Sequence, residues 1–179
     1  MKFCSSCGHA IEKLVPADDN RTRSVCIACQ TIHYENPRLI LGTLSTWEDQ
    51  ILLCRRAIEP RSGFWTLPAG FMEIGESTEA GAKRETLEEA GAEVDIHDLF
   101  AVFDIPHVEQ VHLFFRAAMT SPQLSPGVES LEARLFKPDE IPWDDLAFES
   151  VRQALQLHLE DLTLGRHRLH RMQLPRMDW

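Results

Sequence analysis

The stretch RETLEEAG, residues 84 to 91, sets Glu85, Glu88 and Glu89 close together behind Arg84 and in front of Gly91. On a helix, carboxylates three and four residues apart lie side by side and repel each other by roughly 0.2–0.5 kcal/mol per pair. A fold that keeps them needs a compensating positive charge. Ser77 or Thr78 suits the start of a helix, Gly91 its end, and the residues between are good helix formers, so a helix is expected over 77–90, with Gly70 before it in a loop. At about 100° per residue the three glutamates share one face, and Leu87, about 200° from Glu85, is expected to point toward a core. Clustered carboxylates are hard oxygen ligands and become favourable neighbours around Mg²⁺ or Mn²⁺. The competing reading is a solvated acidic helix.

A second constraint lies near residue 1. Cys4, Cys7, Cys26 and Cys29 form C-x2-C-x18-C-x2-C, in which two tight turns each offer a pair of thiolates to a tetrahedral ion such as Zn²⁺. Two disulfides or four idle thiols are the alternatives. The opening MKFCSSCGHA lacks the apolar run of a secretory signal, and no segment reaches the roughly 18 to 20 apolar residues of a membrane span. A cytoplasmic setting is therefore expected, where disulfides seldom persist. His9 and His33 lie nearby, but four cysteines already complete a shell. Cys54, within ILLC, reads as a small buried hydrophobe. About thirty residues closed on one ion fold mainly through metal binding, so residues 1–34 are expected to be a zinc ribbon, with ENPR as the connection.

The remaining pattern is α/β. LILGTLST and QILLCRRA flank the turn WEDQ as a hairpin, and strands are expected within 93–105, 108–119 and 132–136. A second helix is expected over 146–162. A mixed sheet with helices on its faces accommodates these elements, and 179 residues at 44% hydrophobic content suffice for one medium domain with a small appendage. Residues 35–162 are assigned to that domain. The basic segment 163–179, with four arginines and two histidines after Gly165, is expected to be a mobile arm or dimer contact.

Gly70, Glu76, Arg84, Glu85, Glu88, Glu89 and Gly91 match G-x5-E-x7-R-E-x-x-E-E-x-G without a gap, and the 22-residue stretch resembles the signature of the Nudix hydrolases. Thr86 and Ala92 stand where that pattern prefers aliphatic residues. The resemblance implies an α/β/α sandwich that binds divalent metal and hydrolyses a nucleoside diphosphate linked to another group. It implies Glu85 and Glu89 as principal metal ligands, Glu88 as a further ligand or water-orienting carboxylate, Gly70 in the same metal site, and Glu76 with Arg84 as a supporting ion pair.

A four-cysteine ribbon ahead of such a domain resembles the NADH pyrophosphatase branch. That branch's marker, SQPWPFPxS, is replaced here by VFDIPHVEQV. FDIPHVEQVHLFFRA, GVESLEARLF and DEIPWDDLAF are similar instead to plant plastid FAD pyrophosphatases and their bacterial relatives. FAD or an ADP-ribose-like compound, cleaved to AMP and a phosphorylated remainder, is thus expected ahead of NADH or NAD. A regulatory module that senses nucleotides without turnover is the alternative of another class. The resemblance also implies a homodimer.

The formal net charge of −10 speaks against nucleic acid as a partner and favours a small polyanion approached through divalent cations. Arg55 and Arg56, at a strand end, are candidates for the diphosphate, or are solvated. Phe64 and Trp65 are candidates to stack on a substrate ring, or are core. His107 and His112 read as ordinary strand residues. A carboxylate from outside the signature is expected to act as base or further ligand. Glu129, in a loop after Pro126 and Gly127, is preferred over Glu132, which on its strand is expected to pair with Arg134.

Overall fold

Too few residues lie in the first 37 to bury a core, and the chain there closes around its cysteines instead. The computed structural model describes residues 1–176 and divides into two units, Met1–Pro37 and a second from Arg38 onward. The first unit is a three-stranded antiparallel sheet of β1 (Ile11–Leu14), β2 (Arg23–Cys26) and β3 (Ile32–His33). Its buried residues are Cys4, Ser24, Val25 and Cys26. Sγ atoms of Cys4 and Cys29 are 3.7 Å apart, and Cys7 lies 3.4 Å from both Cys26 and Cys29. A disulfide requires about 2.05 Å. Four sulfurs about 2.3 Å from one Zn²⁺ would stand about 3.8 Å apart, so the donor set fits that ion. His33 Nε2 lies 3.3 Å from Cys4 Sγ, and Thr31 Oγ1 lies 3.1 Å from Cys29 Sγ. Such outer hydrogen bonds orient thiolate ligands, a role that spacing alone did not give His33. Cys4→Ser is expected to release the ion and loosen the ribbon, leaving the second unit folded. Elemental analysis and amide exchange check this; wild-type protein without stoichiometric zinc or iron would contradict it.

In the second unit, β4 (Arg38–Trp47) and β5 (Gln50–Arg56) form the expected hairpin, with Thr46 opposite Ile51. There follow β6 (Trp65–Thr66), β7 (Ala69–Phe71), α1 (Thr78–Ala90), β8 (Val94–Ile105), β9 (Gln110–Met119), β10 (Ser130–Phe136), α2 (Glu149–Leu164) and β11 (His170–Gln173). The sheet runs β10-β5-β4-β9-β8-β11, mixed because β4 lies parallel to β9 and β8 to β11. β6 pairs with β5 and β7 with β4. Side chains alternate across β5: Ile51 and Leu53 join the core that includes Val151, Ala154 and Leu155 of α2, while Leu52 and Cys54 join Ala90 of α1. The two helices therefore cover opposite faces of the sheet. No helix among the described residues is long and apolar enough to cross a membrane.

Three expectations change. Leu87 is 50% exposed, because α1 seats on the sheet through the small residues Gly81, Ala82, Thr86 and Ala90, and Glu89 goes inward with them. Gly70 belongs to β7 rather than to a loop. The basic segment is not a free arm as far as it is described. Helix α2 extends to Leu164, β11 adds a parallel strand beside β8, and Leu174 is buried in the main core. Buried Asp161 holds it there, accepting from Arg168 Nε at 2.7 Å and lying 3.0 Å from His170 Nε2 and 2.5 Å from Arg116. Residues 177–179 of that segment lie outside the described residues.

Thr86, a departure from the expected aliphatic residue, has a partner that sequence spacing could not reveal. Ser45 donates to Thr43 Oγ1 at 2.7 Å, Thr43 and Thr86 hydroxyls meet at 2.7 Å, and Thr86 donates to the Ala82 carbonyl at 2.8 Å. All three side chains are fully buried. Thr86→Val leaves the Thr43 hydroxyl without an acceptor and is expected to cost about 1–3 kcal/mol. Replacing Thr43 and Thr86 by Val and Ser45 by Ala together should cost less than Thr86→Val alone. Urea denaturation of wild type and the two variants checks this, and a larger loss in the triple variant than in Thr86→Val would contradict it.

Candidate active site

Helix α1 begins at Ser77, whose Oγ accepts the Ala80 N–H at 3.2 Å, and ends at Gly91 in the left-handed conformation. Between these caps one side of the helix meets β7. Ala69 N–H donates to Glu89 Oε2 at 3.1 Å, and a Cβ on Gly70 would stand 2.3 Å from the Glu85 carboxylate. Only glycine lets the β7 main chain approach that carboxylate so closely.

Arg84 answers part of the charge problem posed by the three glutamates. It donates to Glu76 at 3.0 and 3.1 Å, to Glu85 at 2.7 Å, to Glu88 at 3.0 Å, and to the Phe71 carbonyl at 3.1 Å. The expected pairing with Glu76 is therefore one bond set among several. Glu89 lies beyond these bonds and is 7% exposed. Burial pushes its carboxyl up to about 8, the charges of Glu85 and Glu129 adding to this against the Ala69 N–H and Arg56. Burial raises Glu85 too, opposed by Arg84. Both groups are oxygen donors whose ionised forms a divalent cation would favour, and their chemistry fits a hard divalent ion.

Glu85, Glu88, Glu89, Gly70 and Arg84 line one cavity of about 830 Å³ together with Arg56 and Glu129. The volume lies within the range of small-molecule sites. Arg56 enters from the end of β5, its Nε donating to the Pro60 carbonyl at 2.9 Å and its guanidinium 5.0 Å from the Phe148 ring centre. Glu129 enters from the loop before β10.

Three of the residues singled out from sequence do not reach the cavity. Arg55 points away, donating to the Gly63 carbonyl at 2.8 Å, because successive residues of a strand face opposite ways. Glu132 sits opposite Arg55 in the β5–β10 ladder, past a register shift that follows Ser130. Its cross-strand neighbour is thus Arg55, while Arg134 lies over the Phe136 ring at 4.7 Å. Trp65 is 9% exposed and packs edge-on against Phe136, with ring centres 4.8 Å apart, so it is core.

The cavity wall supplies residues to which sequence reasoning gave no part in the site. Phe71, Ile40 and His112 stand in register across β7, β4 and β9, and all three line it. Phe71 is 49% exposed, with the Arg38 guanidinium 5.1 Å from its ring centre. His112 Nε2 lies 3.0 Å from Gln110 Oε1, and burial lowers its pKa to about 4, leaving it neutral. The available signal was adjacency: Phe71 follows Gly70 directly.

The zinc-ribbon family described as "Nudix N-terminal" matches residues 2–35, and the "NUDIX domain" family matches residues 38–157. A protein of Stutzerimonas stutzeri named NAD-capped RNA hydrolase NudC is 30% identical over 168 residues, covering 92% of this chain and 56% of its own length. One of the same name from Vibrio vulnificus is 30% identical over 144 residues, covering 79% and 53%. The chain thus spans little more than half the length of these curated relatives. The crystal structure of a NUDIX hydrolase from Nitrosomonas europaea superposes with a TM-score of 0.92 at 46% identity, over 97% of this chain and 100% of that one. An ADP-ribose pyrophosphatase from Streptococcus suis shares the fold at 23% identity, TM-score 0.63, over 76% of this chain and 100% of that one.

Proposed function

The chain belongs to the Nudix hydrolase family, and on that premise we propose that it is a metal-dependent pyrophosphohydrolase cleaving the phosphoanhydride of a nucleoside diphosphate linked to another group. The observation that carries this is the convergence of Glu85, Glu88, Glu89 and Glu129 with Arg56 on one cavity. A divalent cation held there, Mg²⁺ or Mn²⁺, would neutralise the diphosphate and lower the pKa of a water.

In this reading Glu85 and Glu89 are the principal cation ligands, Gly70 lets the main chain close on Glu85, and Glu88 is a further ligand or orients the water. Arg84 and Glu76 hold the cluster in place. Arg56 faces the diphosphate with a cationic fork suited to its oxygens. The water oxygen bonds to one phosphorus as the bond from that phosphorus to the bridging oxygen breaks. Glu129 accepts the water's proton, and AMP and a phosphorylated remainder are the products.

FAD and ADP-ribose are the proposed substrates, on the likeness of FDIPHVEQVHLFFRA and GVESLEARLF to plastid FAD pyrophosphatases. NADH and NAD stand level with them, favoured by relatives named NAD-capped RNA hydrolases at 30% identity. On the same ground the net charge does not exclude an RNA bearing a dinucleotide at its end. A homodimer belongs to this proposal as well.

Specificity is a ratio of kcat/KM values, so FAD, ADP-ribose, NADH, NAD and a nucleoside triphosphate should be compared side by side. The proposal expects at least one linked nucleoside diphosphate to exceed the triphosphate. A preference for the triphosphate would overturn it.

A further inference from the structure

The loop that carries Glu129 hangs from the last turn of α1. Ser125 N–H donates to the Ala90 carbonyl at 2.7 Å, and Gly127 N–H donates to the Glu89 carbonyl at 3.2 Å. Both acceptors belong to the final turn, whose carbonyls no helical N–H reaches. On the far side, the Gly127 carbonyl accepts Ser130 N–H at 3.1 Å and the Glu129 carbonyl accepts Ala57 N–H at 2.8 Å. The main chain around Glu129 is therefore clamped between the end of α1 and the chain leaving β5. β10 pairs Ser130 with Arg56 and then shifts register before Glu132, so Glu129 stands at the irregular end of the ladder, held by Ala57 on one side and by the turn seated on α1 on the other.

Contact at Gly127 is closer than any side chain permits. A Cβ there would lie 1.8 Å from the Glu88 carbonyl oxygen and 3.0 Å from its carbonyl carbon. These atoms are helix backbone from the very turn that carries Glu88 and Glu89, and they cannot swing aside as a side chain would. Any larger residue must lift the loop off the helix by more than an ångström, and Glu129 lifts with it.

We propose that Gly127 is a positioning residue of the hydrolytic site: it seats the Ser125–Gly127 turn on the last carbonyls of α1, so that one helix end fixes Glu129 relative to Glu85 and Glu89. This rests on the role proposed above for Glu129, through which Gly127 acts. A displacement of about 1 Å in a catalytic group costs roughly 10²-fold in rate.

The test is a cycle of wild type, Gly127→Ala, Glu129→Gln and the double variant. Turnover is measured at saturating Mg²⁺ with whichever of FAD, ADP-ribose and NADH is hydrolysed fastest, and folding is followed by thermal unfolding. Gly127→Ala is expected to lower kcat roughly 10- to 100-fold, with KM changed by less than about 3-fold. In the Glu129→Gln background the same substitution should cost less than about 2-fold, since the group it displaces no longer acts. If Gly127→Ala does not fold, Ser125→Pro deletes the other N–H bonded to α1 and should show the same non-additivity. Wild-type kcat in Gly127→Ala, or an equal loss in both backgrounds, overturns the proposal while leaving Glu129 its role. A silent Glu129→Gln overturns both.

Discussion

Glu85→Gln is expected to lower kcat by roughly 10² or more at saturating cation, because metal and electrostatic effects supply much of the barrier reduction in such hydrolyses. The substitution preserves shape. Gln still fills the space against Gly70, where the main chain leaves no room for a Cβ, and its oxygen can still accept from Arg84 Nη1, which stands 2.7 Å from the Glu85 carboxylate. What it removes is one negative charge from a cluster that Arg84 balances only in part. The thermal unfolding midpoint should hold or rise, since a half-buried carboxylate among like charges is lost. Metal affinity and turnover should fall together. Near wild-type kcat at saturating Mg²⁺ would contradict the assignment of Glu85.

The second large effect separates two glutamates only three residues apart. Glu129→Gln is expected to lower kcat roughly 10²-fold, the usual contribution of a positioned proton acceptor, while Glu132→Gln leaves turnover within about 2-fold of wild type. Glu129 lines the cavity with Glu85, Glu88 and Glu89, whereas Glu132 stands in the ladder opposite Arg55. Cross-strand neighbours contribute roughly 0.2–1 kcal/mol, so losing the Glu132 charge should appear in stability and not in rate. The two variants are measured separately at saturating metal. Loss of turnover in Glu132→Gln with none in Glu129→Gln would reverse the assignment.

The strongest sequence signals were those in which one local requirement fixes several residues together. Four thiolates at C-x2-C-x18-C-x2-C admit few arrangements, and the Sγ atoms do gather within 4.8 Å of one another. The helix 77–90 followed from its caps and spacing, and α1 runs from Thr78 to Ala90. Helical periodicity failed at Leu87 because it ranks side chains by hydropathy, whereas this helix docks through small residues that bring backbone close to backbone. Trp65 and Arg55 stayed open between site and core or solvent for a related reason: a two-residue strand such as β6 and the register of β5 are set by partners distant in sequence. The strand β11 was hidden because Met172 is the one apolar residue among its four. Its place depends on Asp161, which accepts from Arg168 across seven residues of chain, a contact no local pattern announces.

The most direct measurement is chromatography of the products after incubating metal-stripped protein with FAD, NADH and ADP-ribose, with and without added Mg²⁺ or Mn²⁺. AMP should appear from at least one of the three when cation is present and stop when it is chelated, as a carboxylate cluster that works through a divalent ion requires. Tight binding of these compounds with no AMP from any of them at saturating cation would contradict hydrolysis and leave a nucleotide sensor in its place.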